Sequence, residues 1–246
     1  MTRISVVIPA KNEADNIVSL VEGIDRALAA LAPFEIIVVD DCSTDNSVAV
    51  LQARAQTMLH LRIVRHDRSG GQSAAVHSGV KAATAPVICT LDGDGQNPPE
   101  ELPKLVAPIL NDTTGRIGLV AGQRVDRQDT WSKKYASKFA NGIRGWILQD
   151  GTRDTGCGLK AFRREGFLAL PYFDHMHRYL PALFNRDGWQ VAHVDVSHRP
   201  RGAGRSNYSN IQRALVGIVD LVGVAWLLRR RKKARAVDDA IASAAK

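Results

Sequence analysis

The stretch TLDGDGQNPPEEL, beginning at Thr90, closes the apolar run APVICTL with two aspartates one residue apart, Asp92 and Asp94, each followed by glycine. A turn of this kind presents two carboxylates with almost no side-chain bulk, so a large ligand can approach the backbone closely. Carboxylates repel phosphates, and a divalent cation between them reverses that sign. Hard oxygen ligands suit Mg2+ or Mn2+, which take one or two carboxylates and fill their shell with phosphate oxygens and water. There is no G-x-G-x-x-G after the first apolar run and no G-x-x-x-x-G-K-[ST] anywhere, which argues against a dinucleotide fingerprint and a P-loop. The turn reads as a holder for a metal–diphosphate.

Elements must bring such a turn to a cleft, and the periodicity supplies them. Ile4–Ile8, Glu35–Val39, Leu61–Val64 and Val87–Leu91 are short apolar runs, predicted as strands. Amphipathic stretches predict helices over Glu13–Leu31, about Ser43–Met58 and Gln72–Ala83. Alternation of near-continuously apolar strands with helices predicts a mostly parallel, Rossmann-like α/β sheet covered on both faces. Ligands of such sheets sit outside the carboxyl ends of the strands. Four polar loops fall there: PAKNE, DDCSTDNS, RSGGQS and DGDGQ. Ser43 and Asp45 read as helix caps, but four such loops on one edge point to a site.

The 246 residues suit one large α/β domain, alone or with a small appendage, and a net charge of +8 suggests an anionic partner. Three cysteines without C-x-x-C spacing argue against a disulfide framework or a zinc site. No secretory signal is expected, since Met1-Thr2-Arg3 leads straight into the first strand. The charge is concentrated where Arg229-Arg230-Arg231-Lys232-Lys233-Ala234-Arg235 follows the apolar stretch ALVGIVDLVGVAWLL. That placement favours an anionic membrane surface over nucleic acid.

The succession PAKNE, VVDDCSTDNS, LDGDGQNPPEEL, GQR, DTGCGLKAF and HRPRGAGRSNY, from about Ile4 to Tyr208, resembles the family-two inverting glycosyltransferases of GT-A fold. It looks most like their polyprenyl-phosphate branch, which includes dolichyl-phosphate mannose synthases. The resemblance implies an α/β GT-A sheet over residues 1–208, followed by a membrane-associating helix and basic tail over 209–246. It implies that Pro9, Ala10, Asn12 and Glu13 border the nucleobase and ribose, that Asp40 or Asp41 contacts the base, and that Gly71, Asp92, Gly93 and Asp94 adjoin the donor. Asp92, Asp94 and Gln96 would form the metal and diphosphate site, with Asp94 the direct ligand and Arg124 near the phosphates. The chain departs from the family at Gly93 and Gly95, where Ala and Leu are frequent, and at Leu159, where Phe is common.

A lipid phosphate acceptor is already anionic and needs cationic clamping more than deprotonation. His198, Arg199, Arg201 and Arg205 supply cations, with Gly202 and Gly204 between them, and Ser206 and Tyr208 match the family's pattern. Asp154 reads equally as a turn aspartate and as a group that orients a sugar hydroxyl or accepts a proton. Cys157 reads as a small packed side chain. Trp131, Tyr135, Phe139, Ile143, Trp146 and Ile147 fall on one helical face over about 131–148, with Lys133, Lys134, Lys138 and Arg144 largely elsewhere, the signature of an interfacial helix. The segment Ala214–Leu228 would rise only ~22 Å against a ~30 Å hydrocarbon core. It also carries Asp220 at its middle, so it is expected to lie in the interface or on the domain.

The expected activity is metal-dependent inverting transfer of a sugar from a nucleotide-diphosphate donor to a polyprenyl phosphate at the cytosolic membrane face. The alternatives are a glycosyltransferase that elongates a cell-surface saccharide or lipopolysaccharide, and a nucleotide-sugar or anionic-lipid binding module without catalysis. Nucleic acid is not an expected partner, because the aromatics pattern as a helix face rather than a stacking sheet.

Overall fold

The computed structural model describes residues 2–125, 142, 144–145, 147–152, 154, 156–199, 210–230 and 234. Seven strands form one sheet: β1 (Ile4–Ala10), β2 (Phe34–Asp40), β3 (Leu61–Arg65), β4 (Val87–Thr90), β5 (Ile117–Arg124), β6 (Lys160–Arg163) and β7 (Gln190–Val196). Their order is β3-β2-β1-β4-β6-β5-β7. The β1/β2, β1/β4, β2/β3 and β5/β7 pairs are parallel, while β6 runs antiparallel to both β4 and β5. The sheet is therefore mostly parallel, as expected, with β6 as its antiparallel strand.

Alternate residues of each strand face opposite layers. Ile4, Val6 and Ile8 of β1 enter one core cluster with Ile17, Leu20 and Ile24 of α1 (Ala14–Leu28), Leu51 of α2 (Ser47–Ala55) and Leu105 of α4 (Leu102–Leu110). Val7 enters the other with Val76 of α3 (Gly71–Ala82), Phe167 of α5 (Arg164–Leu168), Leu183 of α6 (Leu180–Arg186) and Val224 of α7 (Asn210–Arg229). Helix α3 lies so close to the sheet that a Cβ on Gly79 would stand 3.0 Å from Val39 Cγ2. Strands covered on both faces explain why β1 and β2 are near-continuously apolar.

Two predicted helices begin or end differently. α1 stops at Leu28 and gives way to a 3-10 turn over Ala29–Leu31. α2 starts only at Ser47, because Ser43, Thr44 and Asp45 each bond the neighbouring loop at Asn12 or Ala14. Chain order reverses at β1, which has β2 on one side and β4 on the other. A crevice at that switch point is where an open α/β sheet takes its ligand.

Candidate active site

A cleft of about 400 Å³ opens at that point, within the size range of small-molecule sites. Its walls are Pro9 and Ala10 from the end of β1, Asp41 after β2, Ser69, Gly71 and Gln72 at the start of α3, and Asp92, Gly93 and Asp94 after β4, with Lys11 and Glu13 at the rim. Three strand ends and one helix start thus converge as the four loops predict.

The loops are tied together by side chains. Asp41 accepts hydrogen bonds from Gly70 N (2.7 Å), Gly71 N (2.9 Å) and Ser69 Oγ (2.7 Å), and His66 Nδ1 lies 2.7 Å away. Burial opposes the charge, but these bonds outweigh it and hold the carboxyl at about 2. Asp41 therefore anchors the glycine turn that walls the cleft. Asp40 sits deeper, 1% exposed, with Oδ2 accepting from Ser43 N and Oδ1 buried without a partner among the described residues. Asn12 does not line the cleft: its side-chain oxygen accepts from Thr44 N (2.8 Å), and its own N–H donates to Ser43 Oγ (2.9 Å). Ser43 is likewise a cross-loop strut, while Asp45 does both jobs, capping α2 by accepting Ser47 N (2.9 Å) and bridging to the neighbouring loop by accepting Ala14 N (3.1 Å).

The acidic turn is held from behind. A Cβ on Gly93 would meet Pro9 O at 3.0 Å, so the turn lies against the end of β1. Gln72 Nε2 donates to Asp92 Oδ1 (2.7 Å) and Asn97 Nδ2 to Asp92 Oδ2 (3.3 Å), while Asp94 Oδ1 accepts from Gln96 N (3.1 Å). Burial, and then the charge of Asp94, push the Asp92 carboxyl above its usual range. Lys160 and His177 share with Asp92 the wall of a small pocket of about 20 Å³. Burial lowers the Lys160 ammonium, and burial with the Lys160 charge keeps His177 well below its usual value, hence neutral.

These features fit a divalent cation. Two carboxylates that resist sharing one cleft are relieved by positive charge between them. Among the described residues no group of three or more His, Cys, Asp or Glu could hold a metal. A bound ion would therefore draw the rest of its shell from ligand and water oxygens, as Mg2+ commonly does. Gln96 stands outside the cleft lining, and its main-chain oxygen accepts Arg199 N–H (2.9 Å).

Arg124 ends β5 and pairs two-pronged with Asp154, its Nη2 donating to Oδ1 at 2.9 Å and its Nε to Oδ2. Asp154 Oδ1 also accepts Gly156 N (3.2 Å), and Asp154 N donates to Gln123 Oε1 (3.0 Å). Asp154 thus closes its own turn through Gly156 N and holds the Arg124 guanidinium in place. His198 and Arg199 follow β7, the Arg199 guanidinium donating to Glu100 Oε2 (3.0 Å). Arg201, Arg205, Ser206 and Tyr208 lie outside the described residues. Cys157 is packed as expected, 1% exposed.

The segment expected to be an interfacial helix lies mostly outside the described residues, but its end corrects the reading of Arg144. That side chain is buried and pairs with buried Asp150, while Leu148 joins the second core cluster. Arg144 is therefore an internal counter-charge, not a headgroup cation. Helix α7 packs on the domain through Leu221, Val224 and Leu228. Asp220 lies 3.0 Å from His175 Nδ1, and Arg186 Nε donates to Leu227 O (3.0 Å). No helix among the described residues is long and apolar enough to cross a membrane.

A mixed sheet with a carboxylate pair at its switch-point cleft is the glycosyltransferase A architecture. The chain belongs to glycosyl transferase family 2, whose profile matches residues 5–170. It is 35% identical over 209 residues to an undecaprenyl-phosphate 4-deoxy-4-formamido-L-arabinose transferase of Sodalis glossinidius, covering 84% of this chain and 63% of that protein. A protein of the same name from Pectobacterium carotovorum is 36% identical over 213 residues, with 84% and 62% covered. The chain thus spans less than two thirds of these relatives' length. Glucosyl-3-phosphoglycerate synthase from Mycobacterium tuberculosis, solved with Mn2+, UDP and phosphoglyceric acid, superposes with a TM-score of 0.69 at 20% identity over 95% of this chain and 80% of that one. The same enzyme with Mg2+ and UDP gives 0.66, at 20% identity over 92% and 79%. At these identities the likeness is one of fold.

Lys11, Ser69 and Gln72 line the cleft without having been singled out in the sequence. Their signal was there: each is a polar residue inside a loop, PAKNE or RSGGQS, already assigned to the ligand edge.

Proposed function

We propose that this chain transfers a sugar, with inversion, from a nucleotide-diphosphate donor to a polyprenyl phosphate. The observation that carries this reading is the convergence of Asp92 and Asp94 on a cleft walled by the Asp41-anchored glycine turn. The names of the bacterial relatives support the lipid phosphate acceptor, and the solved fold relatives, crystallised with UDP and Mn2+ or Mg2+, support the donor and the metal.

The residues divide the work. Pro9, Ala10, Glu13 and the Gly71 turn bound the nucleotide, and the buried Asp40 Oδ1, without a partner among the described residues, supports a contact from Asp40 to the base. Asp94 is the direct ligand in this reading, while Gln72 and Asn97 hold Asp92 beside it. A bound Mg2+ or Mn2+ would supply positive charge to the departing diphosphate. Arg124, oriented by Asp154, adds a fixed cation near the phosphates, and His198, Arg199, Arg201 and Arg205 clamp the acceptor. A phosphate oxygen of the lipid forms the bond to the anomeric carbon as the bond to the donor diphosphate breaks, its electron pair leaving with the nucleotide. A single displacement inverts the centre, and no proton need be removed from the acceptor.

The acceptor is a membrane lipid, and α7 offers a face to meet it. Val219 is 71% and Trp226 58% exposed, Val216 and Val222 are also exposed, and Arg230 lies 5.9 Å over the Trp226 ring. With the basic run after it, this face is suited to an anionic bilayer surface, and the chain would work as a peripheral protein at the cytoplasmic face.

The test offers the purified protein a nucleotide sugar with three acceptors: a polyprenyl phosphate, the matching polyprenol and a free saccharide. Transfer to the phosphate alone is expected. Transfer to a saccharide hydroxyl, with a rate that rises as a base deprotonates and no need for lipid phosphate, would contradict the reading.

A further inference from the structure

The segment that leaves β7 is tied to the acidic turn by contacts that no part of the donor cleft requires. Register pairs Val196 of β7 with Arg124 of β5, so residues 197–199 leave the sheet beside Arg124. They then meet the turn: Arg199 N–H donates to Gln96 O (2.9 Å), two residues beyond Asp94. Glu101, at the end of the 3-10 turn Pro99–Glu101 that follows, grips the same segment. Its Oε1 accepts both Ser197 N–H (3.1 Å) and Ser197 Oγ–H (2.7 Å). One turn further on, Lys104 of α4 donates to Asp195 O and lies 3.5 Å from Glu101 Oε2.

We propose that Glu101 is a positioning residue for the acceptor half of the reaction, setting through Ser197 where the cationic segment begins relative to the Asp92–Asp94 turn. This rests on the proposed transfer to a lipid phosphate and adds a residue to it. The Arg199–Glu100 pair is not the anchor, since its side chains are 55% and 65% exposed and such pairs contribute little. Glu101 is different. Its carboxylate is largely sheltered, 16% exposed, and meets both a backbone and a hydroxyl donor of one residue. Burial opposes its charge, but the Ser197 and Lys104 contacts outweigh that and lower its pKa. Because Arg199 N–H ends on Gln96 O, whatever orders the acidic turn also orders residues 197–199. Donor occupancy and acceptor alignment are thereby linked through the Arg199–Gln96 hydrogen bond, and Glu101 fixes the segment that carries it.

Two readouts on the full chain test this. In steady-state transfer, Glu101→Ala should raise the KM for polyprenyl phosphate about tenfold, the scale of losing charge-assisted hydrogen bonds. Donor affinity should stay within about twofold, Glu101→Gln should recover part of the loss, and Glu101→Ala with Ser197→Ala should do no more than Glu101→Ala alone. In hydrogen exchange, Glu101→Ala should speed exchange at the Ser197 and Arg199 amides. UDP or GDP with Mn2+, whichever binds, should slow exchange at Arg199 in the wild type and no longer do so in the variant. Donor and acceptor constants weakening together with the melting temperature would make Glu101 merely structural and overturn the proposal. Unchanged exchange at Arg199 in Glu101→Ala would overturn it as well. Should the wild type make no lipid-linked product, the proposed function fails, and the exchange measurement still decides the role of Glu101.

Discussion

Replacing Gly158 by alanine adds one methyl group at the back of the acidic turn. The new Cβ would lie 2.5 Å from the Asp92 carboxyl carbon and 2.6 Å from Oδ1, whereas ordinary contact begins at 3.4 Å. The carboxylate must therefore retreat by roughly 1 Å, on the scale of van der Waals separations. It is not a free side-chain end, because Gln72 holds one oxygen at 2.7 Å and Asn97 the other at 3.3 Å. Thr90 Oγ1 donates to Gly158 O (2.9 Å), which limits how far the backbone of residue 158 can yield instead. A displaced Asp92 loses its contact, direct or through water, to the metal–diphosphate, and one contact to a charged group is worth about 2 kcal/mol, roughly thirtyfold in donor affinity. Titration of a nucleoside diphosphate into the protein with Mn2+ reads this directly, and a melting curve reports whether the variant is folded. Gly217→Ala, where a Cβ meets nothing within 4 Å, should leave donor affinity unchanged. A folded Gly158→Ala protein that binds donor as tightly as wild type would refute the claim that Asp92 is locked in place for the ligand.

Asp94→Ala should abolish turnover and Asp92→Ala impair it severely, with EDTA reversing on added Mn2+; full activity in excess chelator would remove the metal from the account. Buried Glu35 accepts from Ser5, Thr84 and Arg62; burial opposes its charge, yet these bonds bring the carboxyl from 4.5 to about 2. A depressed folded-state value stabilises above pH 4.5 and loses that contribution as pH falls towards about 2. The advantage of wild type over Glu35→Gln in urea unfolding should therefore shrink by about 3 kcal/mol across that window, and a constant difference would contradict the assignment. Trp226→Ala and removal of residues 229–235 should each weaken flotation with anionic vesicles, high salt mimicking only the second; absence of vesicle binding in every condition would leave α7 as a packing element alone.

The parallel half of the fold was legible because β1, β2 and β4 are buried on both faces, and that writes itself as near-continuous apolar runs that give way to polar loops. The other half was not. β6 is the four-residue KAFR, with a buried lysine, and periodicity in so short a polar run says nothing about direction. Strand order is also invisible locally, since β6 enters between β4 and β5 although β5 precedes it in the chain. Within the site, Asp92 and Asp94 were readable from type, spacing and flanking glycine. The duties of Asn12, Asp41 and Asp154 were not, because each is defined by a partner about thirty residues away, and spacing in sequence carries no record of such contacts.

A donor panel decides whether this chain makes a lipid-linked sugar. Purified protein with Mn2+ and a short polyprenyl phosphate is given UDP- and GDP-sugars one at a time, and the lipid fraction is weighed by mass spectrometry. The account predicts one lipid product heavier by a single glycosyl unit, joined through phosphate with inverted anomeric configuration, and absent with Asp94→Ala. Release of free sugar without lipid product, or a product with retained configuration, would contradict it.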